Sequence, residues 1–268
     1  MLVVAHVSDV HIDGSEDRDR RLRAVMGYLA SLRRPVDVVL VTGDIADHGL
    51  AAEYERACGL LAGPAPVLAT PGNHDDRAVF RQVMLRDAAA GDGSAGDAAG
   101  DDAAGDGAAG RPVNQAAEIG GAVFLMCDST IPGKNEGFLE DATLAWMEAE
   151  LDRRGGSQPV FACFHHPPVR LHAPVLDRMR QTGEHRLAAL IGRHPEVVAV
   201  LCGHAHTAAA TTFAGKPLRV APGVLSTLML PWESDELVDY TLPPAFAFHV
   251  LDDDWQLTTH YRTVKESP

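Results

Sequence analysis

The amino-acid sequence predicts an α/β sandwich in which helices cover both faces of the sheet. Short apolar runs alternate with amphipathic helical spacing along most of the chain. Such alternation of strand and helix patterns is typical of layered α/β folds. Near the C-terminus the hydrophobic period changes to two, and no helical pattern follows. This change predicts a second, more antiparallel sheet that closes the sandwich.

Individual elements follow from the same periodicity. The predicted strands are 2–8, 36–42, 66–70, 122–127, 159–164 and 197–202, then 217–222, 245–251 and 256–264 near the C-terminus. The predicted helices are 17–33, 51–62, 141–153 and 175–193. In the first helix Leu22, Val25 and Leu29 share one face, which is expected to pack on the sheet.

Charge and hydropathy exclude several classes of protein. The 268 residues carry a net charge of −14, and an acidic surface repels nucleic acid and anionic membranes. No apolar run approaches the roughly 18 residues that a membrane span requires. A strand pattern already begins at Leu2, which leaves no room for a signal peptide, so we expect a cytoplasmic protein that neither coats nucleic acid nor enters membranes.

One segment differs from the rest in composition. Residues 88–110 contain ten Ala, seven Gly, five Asp and one Ser. Such a segment cannot bury enough apolar surface to offset the entropy of ordering it, so it is expected to be disordered. Its aspartates lack the glutamate and the hydrophobic positions of a calcium-binding loop. The sequence therefore predicts a single domain over 1–268, interrupted by this insertion.

Polar motifs follow five of the predicted strands. They are Asp9-Val10-His11, Gly43-Asp44-Ile45-Ala46-Asp47, Gly72-Asn73-His74-Asp75, His165-His166-Pro167-Pro168 and Gly203-His204-Ala205-His206. Each motif alone is compatible with an ordinary turn. Because the carboxyl ends of strands line the ligand crevice in open α/β folds, five motifs in this order are expected to converge on one site.

The residue types in these motifs indicate a metal centre. Carboxylate, carboxamide and imidazole together suit divalent first-row metals, whereas an all-oxygen set would suit Mg²⁺ or Ca²⁺. The donors are too numerous for one tetrahedral zinc ion, and they suit two ions that share a bridging carboxylate. In the pairs Asp9/His11 and His204/His206, extended backbone is expected to point both side chains the same way.

The five motifs together resemble the calcineurin-like metallophosphoesterase superfamily. The resemblance implies a four-layer α/β/β/α sandwich, with two mixed sheets flanked by helices. Finer features are similar to bacterial class III cyclic nucleotide phosphodiesterases and their glycerophosphodiesterase relatives. These features are HVSDVHID at 6–13, Asp128-Ser129 followed by Gly137 and a helix with Trp146, and Pro243-Pro244-Ala245-Phe246.

The resemblance also implies a set of metal ligands. It assigns the first ion to Asp9, His11 and His206. It assigns the second ion to Asn73, His165 and His204, and it makes Asp44 the bridge between the two ions. Two metal ions are expected, and Fe, Mn and Zn are the candidates. Two divalent ions would outweigh the charge of two carboxylates and a hydroxide, giving a positive site in an acidic protein.

Further residues receive roles from the same resemblance. His74 is expected beside the phosphoryl group, as a proton donor or a charge stabiliser. Asp47 and Asp75 are expected to orient ligands, and His166 to lie behind the ligands or to face the substrate. Phosphoprotein phosphatases of this superfamily follow the second motif with Arg-Gly, whereas this chain has His48-Gly49. This departure favours a diesterase.

The expected function is hydrolysis of a small phosphodiester by in-line attack of a metal-bridging hydroxide. The favoured substrate is 3′,5′-cyclic AMP or a related cyclic nucleotide. A glycerophosphodiester or another small phosphoester is the alternative, and a non-catalytic scaffold is disfavoured because all seven ligand positions are intact. The resemblance also favours a homodimer.

Overall fold

The computed structural model describes residues 1–85 and 110–266. The expected disordered insertion at 88–110 lies outside the described residues, apart from Gly110. That expectation, and with it the organisation of 1–268 as one domain, stays a prediction.

Strands and helices alternate through most of the described chain. The strands are β1 (Leu2–Val7), β2 (Val38–Thr42), β3 (Val67–Thr70), β4 (Gln115–Ile119), β5 (Ala122–Met126), β6 (Gly137–Phe138), β7 (Val160–Cys163), β8 (Gln181–Thr182), β9 (Val197–Cys202), β10 (Ala209–Phe213), β11 (Lys216–Val220), β12 (Thr227–Leu228), β13 (Val238–Asp239), β14 (Ala245–Leu251) and β15 (Leu257–Thr263). The helices are α1 (Glu16–Ala30), α2 (Ala51–Leu61), α3 (Arg77–Met84), α4 (Asp141–Arg154), α5 (Leu176–Met179) and α6 (Glu184–Arg193).

The longer strands form two mixed sheets. The first sheet has the order β15-β14-β1-β2-β3, and the second has the order β10-β11-β9-β7-β5-β4. In the first sheet β1, β2 and β3 run parallel, and β14 and β15 add antiparallel strands at one edge. In the second sheet β5, β7, β9 and β11 run parallel, between antiparallel edge strands β4 and β10. The central strands of both sheets therefore present their carboxyl ends to a shared region.

Apolar side chains fill three layers between these elements. The two sheets face each other through residues such as Val4 and Leu40, and the rings of Phe124 and Phe161 stack there with centroids 5.1 Å apart. Helices α1, α2 and α3 cover the outer face of the first sheet, and α4 and α6 cover the second. The predicted four-layer sandwich is confirmed, and burial of these layers is the main source of stability.

The predicted strands are all present, with ends displaced by no more than about one or two residues, as is usual between assignments. The first helix was expected at 17–33 but ends at Ala30, since Pro35 disfavours helical backbone in the residue before it. No described helix combines the length and the apolar surface that crossing a bilayer requires.

Two expectations about the fold are wrong. The C-terminal strands do not form one separate sheet, because β14 and β15 extend the first sheet while β11 joins the second. A period of two identifies a strand but not its partner. The helix expected at 175–193 is divided into α5 and α6 by the short strand β8, which pairs with β6. Gly183 ends the interruption with a φ of 65°, which glycine adopts without strain.

Candidate metal centre

The loops at the carboxyl ends of five central strands bring the predicted ligands together. The strands are β1, β2 and β3 of the first sheet and β7 and β9 of the second. All seven predicted ligands lie in one cluster. Five of them are buried, namely Asp9, His11, Asp44, His165 and His204, and the other two, Asn73 and His206, are half-buried. Both sheets therefore contribute to the same site.

One half of the cluster contains Asp9, His11, Asp44 and His206, which each offer a donor atom within 4.8 Å of the others. The Nε2 atoms of His11 and His206 lie 3.2 Å apart. The Nε2 atom of His206 is 3.5 Å from Oδ1 of Asp9. Donor atoms this close, from three different loops, form a compact candidate site for a cation.

The other half contains His165, His204 and Asn73. The Nε2 atom of His165 lies 3.2 Å from Oδ1 of Asn73 and 3.2 Å from Nδ1 of His204. His165 is completely buried, so its ring is shielded from bulk water. This half is made by β3, β7 and β9, and it lies beside the first.

Asp44 lies between the two halves. Its Oδ2 atom is 3.5 Å from Nε2 of His11 and 3.4 Å from Nε2 of His165. Its Oδ1 atom accepts a hydrogen bond of 2.9 Å from the backbone amide of His74. The carboxylate is thus fixed in a position that faces both groups of donors.

The backbone at this site is left-handed rather than extended. Among the described residues, five of the eight non-glycine residues with positive φ are predicted ligands: Asp9 (55°), His11 (48°), Asp44 (50°), His204 (68°) and His206 (49°). The expectation that the pairs Asp9/His11 and His204/His206 have extended backbone is therefore wrong. Positive φ is costly for residues with a Cβ atom, and it occurs where surrounding contacts hold the chain in place. Here the amide of His11 donates to the carbonyl of Asp44 at 2.9 Å.

Each of three rings has a hydrogen-bond partner on the side away from the cluster, and for His11 and His165 this partner defines which nitrogen faces the cluster with a lone pair. Nδ1 of His11 donates to the Asp47 carboxylate at 3.0 Å, and Nδ1 of His165 donates to the carbonyl of Thr42 at 2.6 Å. Nδ1 of His206 lies 2.9 Å from Oγ of Ser226. When the rings of His11 and His165 are neutral, their Nε2 atoms face the cluster without a hydrogen. Such an arrangement of acceptors fits cations.

Charges at the centre are strongly coupled. Burial raises the pKa of Asp44, but the His165 ring outweighs it and holds that pKa well below its usual range. Burial lowers the pKa of His165, but the Asp44 carboxylate raises it to about 9. Burial raises the pKa of Asp9 to about 6. Since a metal ligand must be deprotonated, a cation held by His165 would take the place of this proton.

Asp47 connects a ligand of the first half with the protein surface. Its carboxylate accepts from Nδ1 of His11 and, at 2.8 Å, from Nη1 of Arg18. Burial raises the pKa of Asp47, but these hydrogen bonds together hold it below its usual range. The sequence predicted an orienting role for Asp47 but not its partner Arg18, which lies on α1.

Asp75 fastens two of the ligand loops to each other. Its carboxylate accepts hydrogen bonds from the backbone amides of Ile45 and Ala46, next to Asp44, and from Gly72, next to Asn73. Burial, together with the charge of Asp44, raises the pKa of Asp75 to about 6. It therefore contacts backbone rather than metal-facing atoms.

The two remaining predicted histidines occupy different environments. The side chain of His74 is 42% exposed, and its ring lies edge-on to that of His11, with centroids 4.6 Å apart. His166 is completely buried, with Nδ1 2.9 Å from Oγ of Ser129. Its ring centroid is 4.6 Å from that of His204. Burial favours a place behind the ligands for His166 over contact with substrate.

Sequence analysis missed the groups that hold the ligand rings from behind. Thr42 and Ser226 contact His165 and His206, but no motif in the sequence distinguishes them from other strand and loop residues. The glycine in Gly203-His204 carries a clearer signal. A Cβ atom at Gly203 would lie 1.9 Å from Oγ of Ser8, so only glycine permits this approach of the two sheets.

Comparison with known proteins assigns the chain to a family. The profile of the family described as calcineurin-like phosphoesterase matches residues 2–208, which include all five motifs. The chain belongs to the calcineurin-like phosphoesterase family. Members of this family use a dinuclear metal site, and the described residues contain a candidate His/Asp cluster for one.

Two relatives agree with this assignment, and a solved structure shares the fold. The chain is 31% identical over 256 residues to a glycerophosphodiester phosphodiesterase of Enterobacter lignolyticus, covering 92% of this chain and 86% of the relative. It is 30% identical over 240 residues to a cAMP/cGMP dual specificity phosphodiesterase of Mycobacterium tuberculosis, covering 84% and 68%. A dimetal phosphatase from Danio rerio has the same fold, with a TM-score of 0.67, 16% identity and 99% of each chain covered.

Proposed function

We propose that this chain is a dinuclear metal-dependent phosphodiesterase that hydrolyses a small phosphodiester. The observation that carries the proposal is the position of Asp44, whose carboxylate faces a ring nitrogen of His11 at 3.5 Å and one of His165 at 3.4 Å. A shared carboxylate between two sets of donors is what a pair of adjacent ions requires.

We assign the ligands as the family resemblance implies. Asp44 would bridge the ions, and the remaining ligands would be Asp9, His11 and His206 for one ion and Asn73, His165 and His204 for the other. The choice of His165 over His166 is supported by its Nε2 atom, which faces Asp44 and Asn73. Iron, manganese and zinc all accept this mixture of nitrogen and oxygen donors.

The chemistry that two bound ions supply is activation of a water as the nucleophile and neutralisation of charge on the phosphoryl oxygens. The protein residues fix the donors before substrate arrives. Asp47 holds the ring of His11, and the carbonyl of Thr42 holds the ring of His165. Rings held in this way would lose little orientational freedom on binding a metal ion.

His74 is the candidate for handling the proton of the leaving group. Its Nδ1 atom donates to the backbone carbonyl of Asp47 at 2.9 Å, so Nε2 carries a hydrogen only in the imidazolium form, and that form would pass its Nε2 proton to the leaving oxygen. Its partial exposure and its contact with the ring of His11 place it at the solvent side of the cluster. A proton delivered there stabilises the departing alkoxide.

For the substrate we propose 3′,5′-cyclic AMP or a related cyclic nucleotide. Support comes from the relative of M. tuberculosis, from the anionic diester that a positive centre attracts, and from His48 at the position where related phosphatases have arginine. A glycerophosphodiester is the second candidate, because the relative of E. lignolyticus is named for that activity. The homodimer and the cytoplasmic location that the sequence suggests stay predictions.

The experiment combines metal removal with one substitution. Metal-free protein should be inactive on 3′,5′-cyclic AMP, 2′,3′-cyclic AMP, glycerophosphocholine and bis-p-nitrophenyl phosphate, and Mn²⁺ or Fe²⁺ should restore activity. Asp44→Ala should retain fewer than two metals per chain by elemental analysis and should lose most activity. The exposed Asp235→Ala is the matched control and should behave as wild type. Full turnover by rigorously metal-free protein would contradict the proposal, and two metals with near-normal kcat in Asp44→Ala would contradict the bridging assignment.

A further inference from the structure

A line of polar side chains runs across neighbouring strands of the first sheet, on the face that also carries Val4 and Leu40. It comprises Thr259 on β15, His249 on β14, His6 on β1, Thr42 on β2 and Ser8 just after β1, and we call it the His6 ladder. His249, His6, Thr42 and Ser8 are completely buried. Buried polar groups in an apolar layer are costly unless every one is hydrogen-bonded, so a complete ladder requires an explanation.

Each neighbouring pair in the His6 ladder is within hydrogen-bond distance. Nδ1 of His249 lies 2.8 Å from Oγ1 of Thr259, and its Nε2 atom lies 3.0 Å from Nδ1 of His6. Nε2 of His6 lies 2.8 Å from Oγ1 of Thr42. The hydroxyl of Thr42 donates to Oγ of Ser8 at 3.0 Å. The ladder therefore runs without a gap from the edge strand β15 to the end of β2.

The hydrogen bonds in the ladder have one direction. The Ser8 hydroxyl donates to the carbonyl of Thr42 at 3.0 Å, so Oγ of Ser8 accepts from Thr42. Oγ1 of Thr42, having used its hydrogen, accepts from Nε2–H of His6. Nδ1 of His6 then accepts from Nε2–H of His249, and Nδ1 of His249 accepts from Thr259. Both histidines are neutral and carry their hydrogen on Nε2.

Electrostatics agree with neutral rings. Burial, and next the neighbouring His249, lower the pKa of His6 well below its ordinary value. Burial, and next the charge of Arg219, lower the pKa of His249 to about 3. Consecutive hydrogen bonds that point the same way polarise and strengthen one another, which favours a single arrangement of the ladder.

The ladder ends on a group that holds a proposed metal ligand. The carbonyl of Thr42 accepts from the Ser8 hydroxyl and also from Nδ1 of His165, at 2.6 Å. The side chain of Thr42 is thus fixed by His6 and Ser8 while its carbonyl fixes the His165 ring. Partners of this kind, one step removed from the metal, commonly change metal affinity by about 10- to 100-fold when they are altered.

We propose that the His6 ladder is a positioning network for His165, in which the buried histidines fix Thr42 and thereby orient the imidazole for the second metal ion. None of the residues of the ladder is among the proposed metal ligands. The ladder and its direction stand on the contacts alone, whereas its effect on metal binding rests on the proposed function.

The test compares two substitutions of the same type on neighbouring strands. Thr42→Val removes the hydroxyl that links His6 to Ser8, and Thr42→Ser keeps it. Thr70 is paired with Thr42 in the register of β2 and β3, and its buried hydroxyl donates to the carbonyl of Cys127 at 2.8 Å. Thr70→Val is therefore the matched control, since it removes a buried hydrogen bond outside the ladder.

Calorimetric titration of metal-free protein with Mn²⁺ measures the two binding steps separately. In Thr42→Val, one step should weaken by about tenfold or more while the other changes little. Thr42→Ser should bind as wild type, and Thr70→Val should lower Tm without changing either Kd. A second pair, His249→Leu and His249→Gln, tests the ladder at a distance: Gln keeps a donor near Nε2 and should restore the binding that Leu weakens.

Histidine ¹⁵N NMR of the metal-free protein tests the direction of the ladder. His6 and His249 should both be neutral with hydrogen on Nε2, and hydrogen on Nδ1 of either ring overturns the proposal. Metal affinities in Thr42→Val and His249→Leu within about twofold of wild type, at a lowered Tm, also overturn it, because the ladder would then be structural only. Wild-type protein that takes up no metal would contradict the proposed function and the positioning role, while the NMR result would still decide whether the ladder exists as described.

Discussion

At the scale of single residues, the most informative property of the site is its backbone. Five proposed ligands have positive φ, although none is glycine: Asp9, His11, Asp44, His204 and His206. Each such residue costs about 1–3 kcal/mol relative to a relaxed backbone. The backbone of these residues is therefore held in a conformation that it would not prefer by itself, and contacts from both sheets maintain this conformation.

This strain predicts an unusual preference for glycine at a ligand position. In metal-free protein, His11→Gly should be more stable than His11→Ala by about 1 kcal/mol, because φ is 48° at this position and glycine adopts it freely. Urea unfolding of both variants measures the difference. At the exposed helical position Glu55 the order should reverse, with Ala more stable than Gly. Equal stability of the two His11 variants would show that the backbone there is not strained.

His74 gives a second prediction at this scale. His74→Ala should keep both metals but lower kcat by about a hundredfold or more, since the leaving oxygen would depart without a proton. The loss should shrink for a p-nitrophenyl ester, whose leaving group needs little protonation. His185→Ala, at an exposed site on α6, is the control. An equal loss with good and poor leaving groups would indicate that His74 positions phosphate instead.

At the scale of elements, a buried histidine on the strand β14 makes the stability of the folded protein depend on pH. His249 is completely buried on this strand, and burial lowers its pKa to about 3 from an ordinary value of 6.5. The unfolded chain therefore binds a proton below pH 6.5 that the folded chain binds only near pH 3. The stability that neutral His249 gives is present above pH 6.5 and is lost as the pH falls from 6.5 toward 3.

The corresponding experiment is urea unfolding of metal-free protein at several pH values. Between pH 7 and pH 5 the wild type should lose about 2 kcal/mol more stability than His249→Gln, which cannot titrate. His260→Gln, at the exposed neighbouring position on β15, should retain the dependence of the wild type. Parallel pH profiles for wild type and His249→Gln would show that His249 titrates normally in the folded protein.

At the scale of the whole molecule, the centre exists only where the two sheets meet. Asp9, Asp44 and Asn73 follow strands of the first sheet, whereas His165 and His204 follow strands of the second. Neither sheet alone provides both halves of the cluster. Binding of two ions should therefore stabilise the association of the sheets, because ligand binding to the folded state raises its stability.

The Ala/Gly/Asp-rich insertion gives a prediction at the same scale. Replacing 88–109 by a short Gly/Ser linker should leave metal content, fold and kcat/KM essentially unchanged, since shortening such a loop changes stability by about a kcal/mol or less. Gly110 is kept because its carbonyl accepts from Arg77 at 2.8 Å. Selective gain of activity on oligonucleotides would indicate an acidic lid over the site, and general loss of folding would show that the segment packs against the domain.

The sequence by itself determined the fold class and which side chains form the candidate cluster. Short-range periodicity is enough to locate a strand such as β1 or β9, because it reports which face of the chain is apolar. The motifs Asp9-Val10-His11 and Gly203-His204-Ala205-His206 then place proposed metal ligands at strand ends, where parallel topology brings them together. Every predicted ligand consequently lies in the cluster.

Only the tertiary structure decided how the donors are held. His6 and His249 are 243 positions apart, and no local pattern states that they are hydrogen-bonded or that β14 pairs with β1. The left-handed backbone at His11 contradicts the local preference for extended chain, and contacts from other loops impose it. Local sequence encodes the propensity and burial of a residue, whereas partners and strained conformations depend on contacts between distant segments, which exist only when the two sheets have packed together.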